Sequence, residues 1–187
     1  IITTGEGGAL LTNDKDVAIR CMELRDHGMN HKKKYHHVIL GYNFRMTNMQ
    51  AAIGLAQMEK LDQILALRNK QMDAYYAALS SVKGIQLRKY ADWCESVHWM
   101  LTLTLDPKHD RDSFLSYMSA NGIDCRQMIN PVHVADHFKN SYSDSHFPGS
   151  INASKQSIHL PSGLGLKRNE IDRIVASIKE FLFQNID

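Results

Sequence analysis

The chain of 187 residues is 43% hydrophobic and 22% charged, which is typical of one ordinary globular domain, or of one domain and part of another. Its formal net charge of +2 is too small to favour nucleic acid or an anionic membrane surface as a partner, and no apolar run approaches the length of a transmembrane helix. The three cysteines lie far apart with no C-x-x-C pair, so the sequence indicates neither a disulfide framework nor a zinc site and favours a cytoplasmic location.

The chain opens with residues 1–11, I-I-T-T-G-E-G-G-A-L-L, in which three glycines surround one acid. Isoleucine and threonine are stiff at χ1 and favour extended backbone. The glycines permit positive φ and a close approach of the backbone to another group. The pattern predicts a strand, a glycine turn and a second strand, and local chemistry alone favours a plain β-hairpin.

A helix is predicted over residues 14–27. Asn13 or Asp14 can cap its first turn by accepting a bond from a backbone N–H group. Apolar residues then recur at helical spacing, and Gly28 is placed to end the helix in a left-handed conformation.

Residues 29–40, M-N-H-K-K-K-Y-H-H-V-I-L, follow as a cationic loop. His31, His36 and His37 are close in sequence, but their spacing fits no common zinc pattern and no cysteine or carboxylate joins them. The lysines, which are mobile point charges, favour a solvated loop or one that faces a phosphate or a nucleotide diphosphate.

A long helix is predicted from Thr47 or Asn48 to about Ser80, after the segment G-Y-N-F-R-M. Its first half is apolar on nearly every side, which predicts burial, and Gly54 indicates close packing against another backbone. The second half is amphipathic. The length predicts a helix that bridges two domains. A coiled coil is disfavoured because the heptad pattern is not sustained.

The rest of the chain alternates strands and helices, which predicts a small α/β domain packed on the long helix. Strands are predicted at residues 85–87, 97–105, 123–129 and 158–161, and a helix at 110–121. The strand at 97–105 shows partial alternation, with one face made of Trp99, Leu101, Leu103 and Leu105. A polar stretch at 136–149 is predicted to be a loop with a short helix. The last helix begins at Arg168 or Asn169 and carries an apolar stripe: Ile171, Ile174, Val175, Ile178, Phe181 and Leu182.

Two blocks of the sequence carry a family resemblance that extends through nearly the whole chain. T-T-G-E-G-G before an apolar run, and G-Y-N-F-R-M-T-N-M-Q-A-A-I-G-L-A-Q-M-E-K-L at residues 41–61, resemble the DegT/StrS family of sugar aminotransferases and within it the perosamine synthase group. The resemblance implies an α/β fold, the C-terminal part of a pyridoxal phosphate (PLP) enzyme of fold type I, related to aspartate aminotransferase. Residues 1–50 would end the large cofactor-binding domain, 51–80 form the bridging helix, and 81–187 form the small C-terminal domain.

The resemblance also implies roles for particular residues. The Asn43 amide would reach across a homodimer to the cofactor phosphate of the neighbouring subunit, and Arg45 would help bind phosphate or an acidic substrate. Both types suit this task, since an amide donates N–H groups and a guanidinium is a rigid fork of donors. Tyr35, Arg126 and His133 would face the substrate, with His133 in the P-V-H turn near the mouth of the active site. For His133, an ordinary satisfied surface histidine is the alternative interpretation.

The implied reaction transfers an amino group from glutamate to the ketone of a nucleotide-linked deoxysugar, with GDP-4-keto-6-deoxymannose as the specific expectation. In the family, a lysine forms a Schiff base with the cofactor and then moves the proton. Aligned here, that lysine falls immediately before Ile1, so this chain would contain no catalytic residue and would be inactive alone. The hypothesis is that the chain is a fragment, or that a modified lysine interrupts the sequence.

Two alternatives stay open at this point. Some relatives place histidine at the lysine position and catalyse dehydration of the sugar on the same fold. Alternatively, the chain is a non-catalytic α/β fragment for dimerisation and substrate binding. The G-Y-N-F-R-M block argues against a generic α/β domain.

Overall fold

The fold was analysed in a computed structural model that describes residues 1–30, 32–138 and 141–184. The chain divides into two compact units, Ile1–Leu61 and Asp62–Asp187. Within the described ranges, none of the helices is long and apolar enough to cross a membrane. The helices are α1 (Lys15–Arg25), α2 (Asn48–Met58), α3 (Leu61–Leu79), α4 (Arg111–Ala120), α5 (Pro148–Gln156) and α6 (Arg168–Gln184), and the strands are β1 (Ile85–Leu87), β2 (Leu101–Leu105), β3 (Arg126–Gln127) and β4 (Ser157–Leu160).

Helix α1 forms as its end signals predict. The Asp14 carboxylate accepts from the N–H groups of Asp16, at 2.8 Å, and Val17, at 3.1 Å, and so caps the first turn. At the other end, Gly28 adopts φ +70° and its N–H donates to the carbonyl of Glu23 at 2.8 Å. This is the predicted left-handed termination.

The predicted β-hairpin at residues 1–11 is wrong: none of these residues is in a strand. Thr3 and Thr4 instead fold the glycine turn locally, with Gly5 N–H donating to Thr3 Oγ1 at 3.1 Å and Thr4 Oγ1 donating to the Glu6 carbonyl at 2.7 Å. A strand needs a neighbouring strand for its backbone groups, and glutamine side chains from α2 take that place here.

The single long helix predicted from Thr47 is also wrong in its continuity, because α2 ends at Met58 and α3 begins at Leu61. The start is as predicted: Thr47 and Gln50 form a reciprocal capping box. At the end of α2, the Lys60 N–H donates to the Gln57 carbonyl at 3.0 Å, which is the tighter i→i+3 pattern and interrupts the α-helical ladder.

The expected burial of the first helical half is not observed within this chain. No residue of α2 is buried, and its large apolar side chains lie at the surface: Met49, Ile53, Leu55 and Met58. Residues of α1 are not buried either. The first unit thus carries apolar side chains that its own described residues do not cover.

The second unit is built on a four-stranded antiparallel sheet of order β1-β2-β4-β3. Strand β2 alternates as predicted, with its three leucines buried and its two threonines half-buried, but it begins at Leu101 and not at residue 97. His98 has φ +48°, which an extended strand does not allow, and Val97 and Trp99 are exposed. The strand predicted at 123–129 is reduced to Arg126–Gln127.

The core of the second unit lies between this sheet and helices α3, α4 and α6. All six residues of the predicted α6 stripe are buried. Helix α3 adds Met72, Tyr75 and Leu79. Two of its polar side chains fix the loop after β4: Tyr75 OH donates to the Pro161 carbonyl at 2.9 Å, and Gln71 Nε2 donates to the Gly163 carbonyl at 2.9 Å. The described residues of the stretch predicted as a loop with a short helix, 136–138 and 141–149, contain two 3-10 turns and the start of α5.

Candidate functional site

Two glycines in the first unit allow the two ends of the cationic loop to approach each other closely. A Cβ atom on Gly28 would overlap the Ile39 carbonyl, and one on Gly41 would overlap the backbone of residues 27–28. Because only glycine permits this approach, the chain can return to the end of α1 immediately before the G-Y-N-F-R-M segment.

The returning segment is hydrogen-bonded to the last turn of α1. Tyr42 N–H donates to the Leu24 carbonyl at 2.7 Å, and Phe44 N–H donates to the Arg25 carbonyl at 2.9 Å. The rings of Tyr42 and Phe44 stack on each other, with centroids 4.9 Å apart and planes inclined by 5°. The backbone of this motif is therefore fixed, while both rings remain exposed.

Asn43 and Arg45 occupy the alternate positions of the same segment. Asn43 forms an isolated β-bridge with Asp26, its side chain is exposed, and it has no hydrogen-bond partner within the described residues. Arg45 Nε lies 3.3 Å from Asp26 Oδ1, and its side chain is 56% exposed. Both residues for which the sequence predicts phosphate binding thus lie beside Asp26 at the end of α1.

Asp26 contacts Arg45 and was not predicted from the sequence to belong to this site. It follows directly after α1, where the helix dipole disfavours a negative charge. Its Oδ1 atom is buried and has no aligned hydrogen bond within the described residues, so the Arg45 guanidinium compensates it by charge. The position of this acid at a helix C-terminus was the sequence signal from which a nearby cation could have been predicted.

Tyr35 lies in the cationic loop with φ +61° and is 86% exposed. The loop is anchored by a β-bridge between Met29 and His37, and by a hydrogen bond between His37 Nδ1 and the His27 carbonyl at 2.8 Å. Of the three histidines considered for a metal, His31 lies outside the described residues. In the part of the chain that is described, no group of three or more His, Cys, Asp or Glu side chains is arranged to hold a metal ion.

Arg126 and His133 belong to the second unit. Arg126 lies on β3 with a 78% exposed side chain, 3.7 Å from Asp124 Oδ2. His133 is buried in a 3-10 turn, with Nε2 3.2 Å from Asp144 Oδ1 and its ring 4.6 Å from that of Phe147. The alternative interpretation of His133 as a satisfied surface histidine is wrong in its exposure but right in that the ring has a hydrogen-bond partner. The role of His133 toward a substrate stays a prediction.

A model of the DegT/DnrJ/EryC1/StrS aminotransferase family matches residues 1–179. The chain is 34% identical to the GDP-perosamine synthase of Caulobacter vibrioides, over 97% of this chain and 50% of that protein. It is 32% identical to the GDP-perosamine synthase of Escherichia coli O157:H7, over 96% of this chain and 48% of that protein. The crystal structure of the aminotransferase TlmJ from Streptoalloteichus hindustanus has a TM-score of 0.86 at 21% identity, over 97% of this chain and 49% of TlmJ.

These matches confirm the predicted fold class, an α/β chain that corresponds to the C-terminal part of a larger aminotransferase fold. They also confirm the resemblance on which the predicted functional residues depend. The chain spans about half the length of the curated relatives that it matches.

Proposed function

The chain belongs to the DegT/DnrJ/EryC1/StrS aminotransferase family, and from this premise we propose that the full-length protein is a PLP-dependent aminotransferase acting on a nucleotide-linked deoxysugar. Glutamate is the proposed amino donor, and GDP-4-keto-6-deoxymannose is the proposed acceptor, which would give GDP-perosamine. The choice of acceptor is supported by the two relatives that are named GDP-perosamine synthases, at 34% and 32% identity.

The observation that carries the proposal is the pair of available donors on one anchored segment. Asn43 offers an exposed amide, and Arg45 offers a guanidinium that is held at Nε by Asp26 and is otherwise exposed. A phosphate dianion takes such N–H donors in short, charge-assisted hydrogen bonds. The residues present therefore fit the phosphate group of the cofactor.

PLP, when bound, withdraws electrons from the carbon that exchanges its proton. Asn43 and Arg45 bind and orient the phosphate, and Asp26 keeps the Arg45 charge in place. A lysine immediately before Ile1, which the family resemblance predicts, holds and moves the proton. Tyr35, Arg126 and His133 are proposed to face the nucleotide sugar. Of these, Arg126 has a side chain that is 78% exposed, whereas His133 is held by Asp144.

We propose a homodimer with shared active sites, in which Asn43 reaches the phosphate bound by the partner subunit. The support is the surface of the first unit, where α1 and α2 bury no residue and where apolar side chains from both helices are exposed. Exposed apolar area of this extent is typical of surfaces that pack against another chain or domain. Sedimentation of the full-length protein as a monomer at micromolar concentration would contradict this part of the proposal.

The test is the visible absorption spectrum of the full-length protein, recorded before and after addition of glutamate. A lysine-bound cofactor band that is lost with glutamate and restored by the keto sugar nucleotide is the expected result. Bound cofactor that does not respond to glutamate would favour the dehydratase. A protein that takes up no PLP would overturn the proposal and leave Asn43 and Arg45 with a structural role.

A further inference from the structure

Three residues on one stripe of α2 contact the glycine-rich segment at the start of the chain. Gln57 accepts from Thr3 N–H through Oε1 at 3.0 Å and donates from Nε2 to the Thr3 carbonyl. Gln50 Nε2 donates to the Glu6 carbonyl at 3.2 Å. Gly54 lies between the two glutamines on the same stripe, at spacings of i+4 and i+3.

The Gln57 contact is a two-point amide pairing. A carboxamide presents one acceptor and two donors, so it can satisfy the N–H and the C=O of a single residue as a neighbouring strand would. Such a pair fixes both the position and the rotation of the backbone at Thr3. It also explains why this segment needs no strand partner within the described chain.

Gln50 is itself held in place. Its Oε1 accepts from the Thr47 N–H at 2.9 Å, and its own N–H donates to Thr47 Oγ1 at 3.3 Å. The capping box therefore directs Nε2 toward Glu6, so that the start of α2 and the glycine turn are fixed by the same side chain.

Small residues make the approach possible. A Cβ on Gly54 would lie 3.0 Å from Thr4 Cγ2, closer than ordinary packing allows. On the segment itself, a Cβ on Gly7 would lie 2.5 Å from Thr4 Oγ1 and 3.0 Å from Met46 Cε. Gly54 is closely packed, as predicted, but its neighbour is a threonine methyl group and not another backbone.

We infer that Gln57 and Gln50 are positioning residues for the cofactor lysine: helix α2 fixes the backbone of the T-T-G-E-G-G segment, and thereby the direction in which the residue before Ile1 presents its side chain. This inference rests on the proposed function, which requires that residue to be the lysine. It assigns to α2 an indirect role in the active site, through the backbone that Gln50 and Gln57 hold.

The first test concerns the contact alone and needs no cofactor. Amide hydrogen exchange of the full-length protein should show a protected Thr3 N–H, and Gln57→Ala should raise its exchange rate about tenfold. Gln63→Ala is the matched control, since Gln63 is an exposed glutamine of α3 whose side chain has no hydrogen-bond partner within the described residues. If Gln57→Ala does not fold, Gln57→Asn keeps the amide but withdraws it by one methylene. Unchanged exchange at Thr3 would overturn the contact itself.

The second test measures how fast the lysine binds the cofactor and at which pH. In Gln57→Glu, the carboxylate still accepts from Thr3 N–H but repels the Thr3 carbonyl, so the segment shifts while the helix is retained. We expect the rate at which the lysine-bound cofactor band appears after PLP is added to fall about tenfold, and the pH midpoint of that band to move. A wild-type protein without the band would overturn the proposed function. The same measurement is made on Gln57→Ala, and a normal rate and midpoint there, together with lost Thr3 protection, would overturn the inference alone.

Discussion

Replacing Arg45 with alanine should weaken cofactor binding through the phosphate group alone. Hydrogen bonds to charged groups contribute about 1.5–3 kcal/mol. Arg45 is 56% exposed in this chain, and solvent screening places its contribution at the lower end of that range. Because 1.4 kcal/mol corresponds to a factor of ten, we expect the Kd for PLP to rise about tenfold in R45A, and by a similar factor in N43A.

The assay is equilibrium binding to the full-length apoprotein, measured for PLP and for pyridoxal, which lacks the phosphate. In both variants the affinity for pyridoxal should be unchanged. Arg20→Ala is the matched control, since Arg20 is exposed on α1 and its side chain has no hydrogen-bond or ion-pair partner within the described residues. An equal loss of affinity for PLP and pyridoxal, or no loss for either, would refute the phosphate role.

The same PLP-binding assay, applied to D26N and D26A, tests how much Asp26 contributes through its charge and how much through its oxygen atom near Arg45. The Asp26–Arg45 pair is partly exposed, with side-chain exposures of 33% and 56%, so it should be worth about 0.2–1 kcal/mol. D26N keeps an oxygen near Arg45 Nε, and D26A removes it. The loss of PLP affinity should therefore stay below about fivefold in either variant and be larger in D26A. A D26A variant weaker than R45A would show that Asp26 acts other than through Arg45.

Three predictions concern the second unit. Burial lowers the pKa of His109 and of His159, so the unfolded chain binds protons before the folded chain does as the pH falls below about 6.5. The free energy of unfolding, measured by urea titration at pH 7.5 and 5.5, should therefore decrease toward the lower pH. An equally steep decrease in the double variant H109Q/H159Q would contradict this. Burial, with a smaller effect of a neighbouring carboxylate, raises the pKa of the Cys125 thiol to about 12. Iodoacetamide should therefore modify the exposed Cys94 well before Cys125. Equal modification rates of the two cysteines, followed by mass spectrometry, would refute this prediction. Ile178 is fully buried, so I178A should lower the free energy of unfolding by about 2–5 kcal/mol in the same urea assay, and a loss below about 1 kcal/mol would show that the α6 stripe is not tightly packed.

The sequence alone was enough wherever the deciding interactions are local. The stripe of α6 follows from a repeat of 3.6 residues, and every member is buried. The caps at Asp14 and Thr47 bond to backbone groups two or three residues away, so their own sequence context defines them. The alternation in β2 likewise predicted which side chains of that strand are buried.

Only the tertiary structure decided the features that depend on distant residues. The left-handed backbone at His98 shortens β2, and the glycine-rich start of the chain pairs with the side chains of Gln50 and Gln57 in place of a strand. Arg45 contacts Asp26 because Gly28 and Gly41 allow the backbone to pass close to the end of α1. These features depend on contacts between residues that are far apart in sequence, or on the backbone conformation of a single residue. Neither a periodic pattern nor a local propensity predicts such contacts or conformations.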